Sequence, residues 1–360
     1  MKKLIALFAV LLLAGPAMAA DWSFYGSARM ATFWDHRDGG DFNVTGDKDD
    51  DDDLYWDFQG NSRLGARVKA DKVSGRIELA LPSSNTHDGN VATRLIYGTW
   101  KFADNMSLKV GKDYTPASQF ISTQTFFEDL GLLGIGTTYA RRPGQLALTI
   151  GGFEVAFIQP NSTNTLAGGD TDEWLPKIEA KFGMPLGMFS FNLMGGFQIF
   201  TVEDNGGAID DDIDVISYIL GADVGVNIGA FYIKAAGSWG QNWTNARWND
   251  LGFTSNANAG AVLSGTDDTD DCTSWMAALV VGLKFSSDLA FEVGAGYRSD
   301  DNDAADDEDE VWSIYGNATI TLAPGVYLVP EVGYVDYMDN NVGTDQGYEW
   351  YAGMKWQIDF

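Results

Sequence analysis

The chain closes on Tyr348-Glu349-Trp350-Tyr351-Ala352-Gly353-Met354-Lys355-Trp356-Gln357-Ile358-Asp359-Phe360. Successive side chains of an extended strand point to opposite faces. Tyr348, Trp350, Ala352, Met354, Trp356, Ile358 and Phe360 therefore share one face, and Glu349, Tyr351, Gly353, Lys355, Gln357 and Asp359 the other. Such a run is long for a strand of a globular sandwich. It suits a strand that crosses a bilayer at a tilt, which takes about 9–11 residues plus its protrusions.

The same period recurs upstream. Trp56, Phe58, Gly60, Ser62, Leu64, Ala66 and Val68 oppose Asp57, Gln59, Asn61, Arg63, Gly65, Arg67 and Lys69. Phe189, Phe191, Leu193, Gly195, Phe197 and Ile199 form another apolar face, and Trp275, Ala277, Leu279, Val281, Leu283 and Phe285 a third. Aromatics sit toward the ends of these faces with small or aliphatic residues between, as on lipid-facing strands with interfacial girdles. Amphipathic helical periodicity is absent over long stretches.

Short and long connections alternate along the chain. Turn chemistry marks the short ones at 71–74, 103–105, 151–152, 185–187, 286–288 and 323–325. The long ones fall at 36–53, 83–91, 114–135, 161–172, 204–212, 244–272, 299–309 and 338–346. That alternation predicts an all-β, transmembrane antiparallel barrel of about 16 strands over residues 20–360, with short periplasmic turns and long acidic extracellular loops. A closed meander has no edge, and lipid tolerates none.

Residues 1–19 read as a cleaved signal peptide. Lys2 and Lys3 precede the apolar run Leu4–Leu13, and Ala17-Met18-Ala19 is a small-residue cleavage site. No later run of eighteen apolar residues offers a helical span. The net charge is −28, or −30 once Lys2 and Lys3 leave with the signal. Nucleic acid is excluded as a partner, because phosphate binding needs a basic face. Cys272 is alone, so neither an internal disulfide nor a cysteine metal site is available. Only His36 and His87 could serve as an imidazole base, and neither has a nucleophile pattern beside it. The chain reads as no enzyme and as needing no cofactor. The acidic blocks at 49–53, 210–212, 267–271 and 300–310 read as solvated surface, with Ca²⁺ or Mg²⁺ bridging to lipopolysaccharide as the sharper alternative.

Strand phase also assigns the charges inside the barrel. Ser27 and Arg29, Arg63 and Arg67, Arg76 and Glu78, and Arg94 fall on inward positions of the first four strands. On the sixth, Arg141 follows Tyr139 in phase, with Pro143 marking a local bulge. Arginine facing lipid costs about 2–4 kcal/mol at the bilayer midplane, which forces these side chains inward. A barrel of this size leaves an aqueous channel unless plugged.

Several segments resemble the general bacterial porins. Phe24-Tyr25-Gly26-Ser27-Ala28-Arg29 looks like that family's opening strand, and Asn61-Ser62-Arg63-Leu64-Gly65 like its second. Thr93-Arg94-Leu95-Ile96-Tyr97-Gly98-Thr99-Trp100-Lys101-Phe102-Ala103-Asp104 is similar to its fourth strand and following turn, and Val110-Gly111-Lys112 leads into a long third loop. Trp356, Ile358 and the terminal Phe360 resemble the signal read by the barrel assembly machinery. The family's P-E-F-G-G segment is missing from the third loop. The resemblance implies a homotrimer in the outer membrane through which small hydrophilic solutes and ions diffuse passively. It further implies that loop 3, about 114–135, folds into the pore. There Glu128 and Asp129 would oppose a constriction cluster of Arg29, Arg63, Arg67, Arg94 and Arg141. The acidic loops lead to an expected weak cation preference. A substrate-specific channel and a non-conducting scaffold are the alternatives.

Overall fold

A computed structural model describes residues 20–38, 51–81, 91–166, 168–204, 206–251 and 259–360. The signal segment 1–19, the loop residues 39–50 with Asp49 and Asp50, and the segment 82–90 with His87 lie outside the described residues.

The described residues form twenty strands: β1 Asp21–Arg37, β2 Asp51–Phe58, β3 Arg63–Lys69, β4 Val73–Ala80, β5 Ala92–Ala103, β6 Met106–Lys112, β7 Gly144–Ile150, β8 Phe153–Ile158, β9 Thr171–Asp172, β10 Lys177–Leu186, β11 Phe189–Val202, β12 Ile213–Ile228, β13 Phe231–Gln241, β14 Val262–Ser264, β15 Asp268–Asp270, β16 Cys272–Lys284, β17 Leu289–Asn302, β18 Asp309–Ala323, β19 Val326–Asp336 and β20 Tyr348–Asp359. Strands β14 and β15 form a separate hairpin, and the other eighteen form one sheet. Strand β1 pairs along its length with both β2 and β3, and β11 with both β9 and β10. Each of those pairs is one stave interrupted midway, so the sheet has 16 antiparallel staves. Strand β20 pairs back onto β1 from Ser27↔Asp359 to Arg37↔Glu349, which closes the barrel.

Alternation is strict in the walls. Along β16 every second residue from Cys272 to Gly282 is buried and those between are exposed. The outward set carries Trp56, Trp100, Phe189, Phe231, Trp275 and Trp356, all exposed to what would be lipid. Gly, Ala and Ser take many inward positions, which leaves interior volume for the loops described below.

Several connections are shorter than their sequence suggests. Asp35↔Asp53 and His36↔Asp52 are ladder pairs of β1 and β2, and Asp300 pairs with Asp309 in β17 and β18. Polar composition marked these as loop, yet the backbone ladder carries on past the apolar band. The third long connection differs the other way. It runs from Asp113 to Pro143, because β7 begins only at Gly144. Arg141 is therefore not on a strand. It sits in this loop with φ +60°, where period-2 phase has no meaning.

Candidate functional site

The third long connection packs against inward-facing residues of the barrel wall, and its own apolar residues explain why. Ile121, Phe126, Leu130, Leu132 and Ile135 are all buried. Ile121 and Leu132 pack on inward-facing Ala236, Ala278, Val280 and Tyr315. Phe126 opens a one-turn helix, α1 Phe126–Asp129. Its ring sits between Phe33 of β1 and Tyr351 of β20. Gly136 runs so close to the wall that a Cβ there would meet the Ala277 carbonyl oxygen at 2.7 Å.

Wall carboxylates receive the loop's free backbone N–H groups. Glu179 of β10 accepts from Ala117 N at 2.9 Å, and Glu292 of β17 from Thr123 N at 2.5 Å. Glu331 of β19 accepts from Thr125 N at 2.7 Å and Phe126 N at 2.9 Å. All three are at most 3 % exposed. A buried carboxylate is tolerated only with such donors. The sequence reading passed over all three as loop anchors. The signal available was a Glu on the inward phase of each strand.

A second connection also enters the lumen. Trp243 and Trp248 are fully buried, and Trp248 Nε1 donates to Glu179 Oε1 at 2.9 Å. Asn249 ties this segment to the third loop, donating N–H to Tyr139 O at 2.9 Å while its Oδ1 accepts from Tyr139 N at 2.8 Å. Burial pushes the Tyr139 phenol above its ordinary pKa, so it stays neutral.

Between the third loop and the wall of β20, β1, β3 and β5 remains a cavity of about 500 Å³. Arg29, Arg63, Arg94 and Lys355 line it from the wall, and Tyr114, Glu128, Asp129, Tyr139 and Arg142 from the loop. Glu78 of β4, fully buried, accepts from Arg94 Nε at 2.7 Å, Arg76 Nη2 at 2.6 Å and Tyr25 OH at 2.7 Å, with Arg63 Nη1 at 3.6 Å. One carboxylate thus serves three guanidinium groups. The Tyr114 hydroxyl accepts from both Arg94 and Arg142.

The residues singled out from sequence do not all meet. Arg29, Arg63, Arg94, Glu128 and Asp129 share the cavity. Arg67 lies off it, with its guanidinium 4.9 Å over the Tyr25 ring and its Cα paired with that of Arg76. Arg141 points away to Asp250, its Nε donating to both carboxylate oxygens at 2.8 and 2.9 Å. Arg142 and Lys355 line the cavity instead, and phase counting found neither role. Asp129 does not stand across a gap from all the arginines. It pairs with Arg29 and, at 2.8 Å, with Lys355 Nζ. Glu128 Oε1 accepts from Gly60 N at 2.7 Å. Both acids have positive φ, +57° and +66°. That conformation costs about 1–2 kcal/mol per residue, and these contacts hold it.

Charge at the cavity is unbalanced. Five cations line it against two carboxylates, a surplus of three that falls to two when buried Glu78 is counted. Among the described residues no group of three or more His, Cys, Asp or Glu side chains gathers as a metal site.

The family model described as Gram-negative porin matches residues 6–354. No curated protein sequence matches the chain significantly. The crystal structure of the outer membrane channel DcaP of Acinetobacter baumannii is similar at TM-score 0.73 and 17% identity, covering 95% of this chain and 97% of that one. An anion-selective porin from Comamonas acidovorans gives 0.63 and 14%, covering 95% and 100%. The in-vitro folded trimer form of OmpT of Vibrio cholerae gives 0.59 and 15%, also covering 95% and 100%. At these identities the likeness is one of fold.

Proposed function

The chain belongs to the Gram-negative porin family, outer-membrane channels for diffusion, and on that premise we propose that its constriction favours small anionic solutes. The observation that carries this is the surplus of Arg29, Arg63, Arg94, Arg142 and Lys355 over Glu128 and Asp129 around one opening. Fixed charge at the narrowest section sets selectivity most strongly. In a narrow section solutes pass close to such fixed charges. Loop charges farther out act through bulk electrolyte, where fields fade over about 8 Å at physiological ionic strength.

The opposing reading is a weak cation preference set by the mouth. It is favoured by the net charge of −28 and by the acidic runs at 210–212, 267–271 and 300–310. Planar-bilayer recordings under a KCl gradient separate the two. A chloride-directed reversal potential that collapses in Arg63→Ala/Arg94→Ala supports control by the constriction. A potassium-directed one gives control to the loops. No conductance from folded protein would favour the scaffold alternative, and saturable transport of a single solute a substrate-specific channel.

Around this centre the remaining roles follow. Residues 1–19 export the chain to the periplasm, and the barrel comprises residues 20–360 with loop 3 inside it. Trp356, Ile358 and Phe360 are read by the barrel assembly machinery. The barrel works as a homotrimer, as the trimer form of OmpT does. The loop carboxylates are solvated surface, with a Ca²⁺ or Mg²⁺ bridge to lipopolysaccharide as the alternative.

A further inference from the structure

A second cavity, of about 350 Å³, lies beside the first among residues next to the long loops. Lys112 ends β6, Lys177 begins β10, Arg141 and Arg142 come from the third loop, and Arg247 comes from the loop that follows β13. No carboxylate is among its lining residues. Tyr139 and Arg142 line both cavities, so the two adjoin through one guanidinium.

The cations are only partly matched. Asp250 takes the fork of Arg141. Lys177 Nζ donates to Ala246 O at 3.0 Å and stands 3.6 Å from Glu179. Arg247 Nε is 3.5 Å from Asp250 Oδ2, is buried, and donates to nothing. Among the described residues Lys112 and Arg142 form no ion pair, and Arg142 donates only to the Tyr114 hydroxyl. Five cations thus share two nearby carboxylates, and one buried charged donor lacks an acceptor. Cations gathered around a cavity with no lining carboxylate repel one another, and an anion seated among them offsets that repulsion. Guanidinium forks beside an ammonium suit the paired oxygens of an oxyanion better than a spherical halide.

We propose that this cavity is a second anion site, which holds one small oxyanion on the long-loop side and passes it by way of Arg142 into the constriction. The proposal rests on the anionic reading of the channel, and it adds a binding step that an arginine-lined eyelet alone does not have.

The test uses the full-length porin in planar bilayers in KCl, with inorganic phosphate added to the long-loop side. Phosphate interrupts the chloride current in a saturable way. Lys112→Gln and Arg247→Gln, neither at the constriction, each weaken its apparent affinity about tenfold. Without phosphate the reversal potential keeps its chloride direction, because the cations of the first cavity are unaltered. Asp250→Asn removes a competing carboxylate and tightens phosphate, which keeps the test open if either loss variant fails to fold. Unchanged affinity in all three variants overturns the proposal, as does block that disappears only in Arg63→Ala. A potassium-directed reversal potential in the unaltered channel is a different outcome. It would sink the anionic reading of the constriction, while the phosphate titration would still decide the second site.

Discussion

The ring of Phe126 lies flat on that of Tyr351, with centroids 3.7 Å and planes 7° apart, and Phe33 meets Phe126 edge-on at 5.2 Å. A loop residue is thereby built into the barrel wall. Truncating a buried Phe to Ala costs about 3–5 kcal/mol, and here the loss falls on loop docking rather than on the strand ladder. Phe126→Ala should give a folded barrel whose single-channel current is noisier and more variable in level. A steady current identical to that of the unaltered channel would count against the aromatic anchor.

Glu331 holds the same turn by its backbone, accepting from Thr125 N, Phe126 N, Thr125 Oγ1 and Asn317 Nδ2. Glu331→Ala leaves these donors orphaned at about 1–3 kcal/mol each. Frequent brief closures or sublevels are expected. Glu331→Gln keeps one acceptor oxygen and should fall between.

Asp129 offsets Arg29 and Lys355 at the first cavity. Asp129→Asn keeps the size of the side chain and raises the local surplus by one positive charge. The reversal potential under a KCl gradient should move further toward chloride. A shift toward potassium would mean that the Asp129 cluster does not border the ion path.

The terminal residue closes the seam between β1 and β20. Phe360 N donates to Gly26 O at 3.0 Å, and Phe360 O accepts from Gly26 N at 2.6 Å. Its ring covers Gly26, where a Cβ would come within 2.4 Å of it. Phe360→Ala keeps both backbone bonds, so heat-modifiable gel migration of refolded protein should barely change. The amount reaching the outer membrane in cells should fall several-fold, as expected of an assembly signal. Deleting Phe360 should lower both.

The cavity was half visible in the sequence. Arg29, Arg63 and Arg94 were found because a strand reads with period 2 and charge must turn away from lipid. Arg141 was misassigned for the same reason, since its positive φ places it in a loop where that period does not hold. Arg142 and Lys355 share the cavity because a loop and the last strand meet there, and no spacing along the chain records the meeting.

The sequence by itself determined that alternating strands, joined by short and long connections, would close into a barrel with apolar side chains outward and charge inward. A bilayer imposes that on every strand separately, so local pattern suffices. Only the tertiary structure decided which charges share an opening. That depends on how the third and sixth long loops fill the lumen, where Phe126 finds Tyr351 and Glu331 finds the backbone of Thr125. Those partners are about two hundred residues apart in the chain, and only packing brings them together.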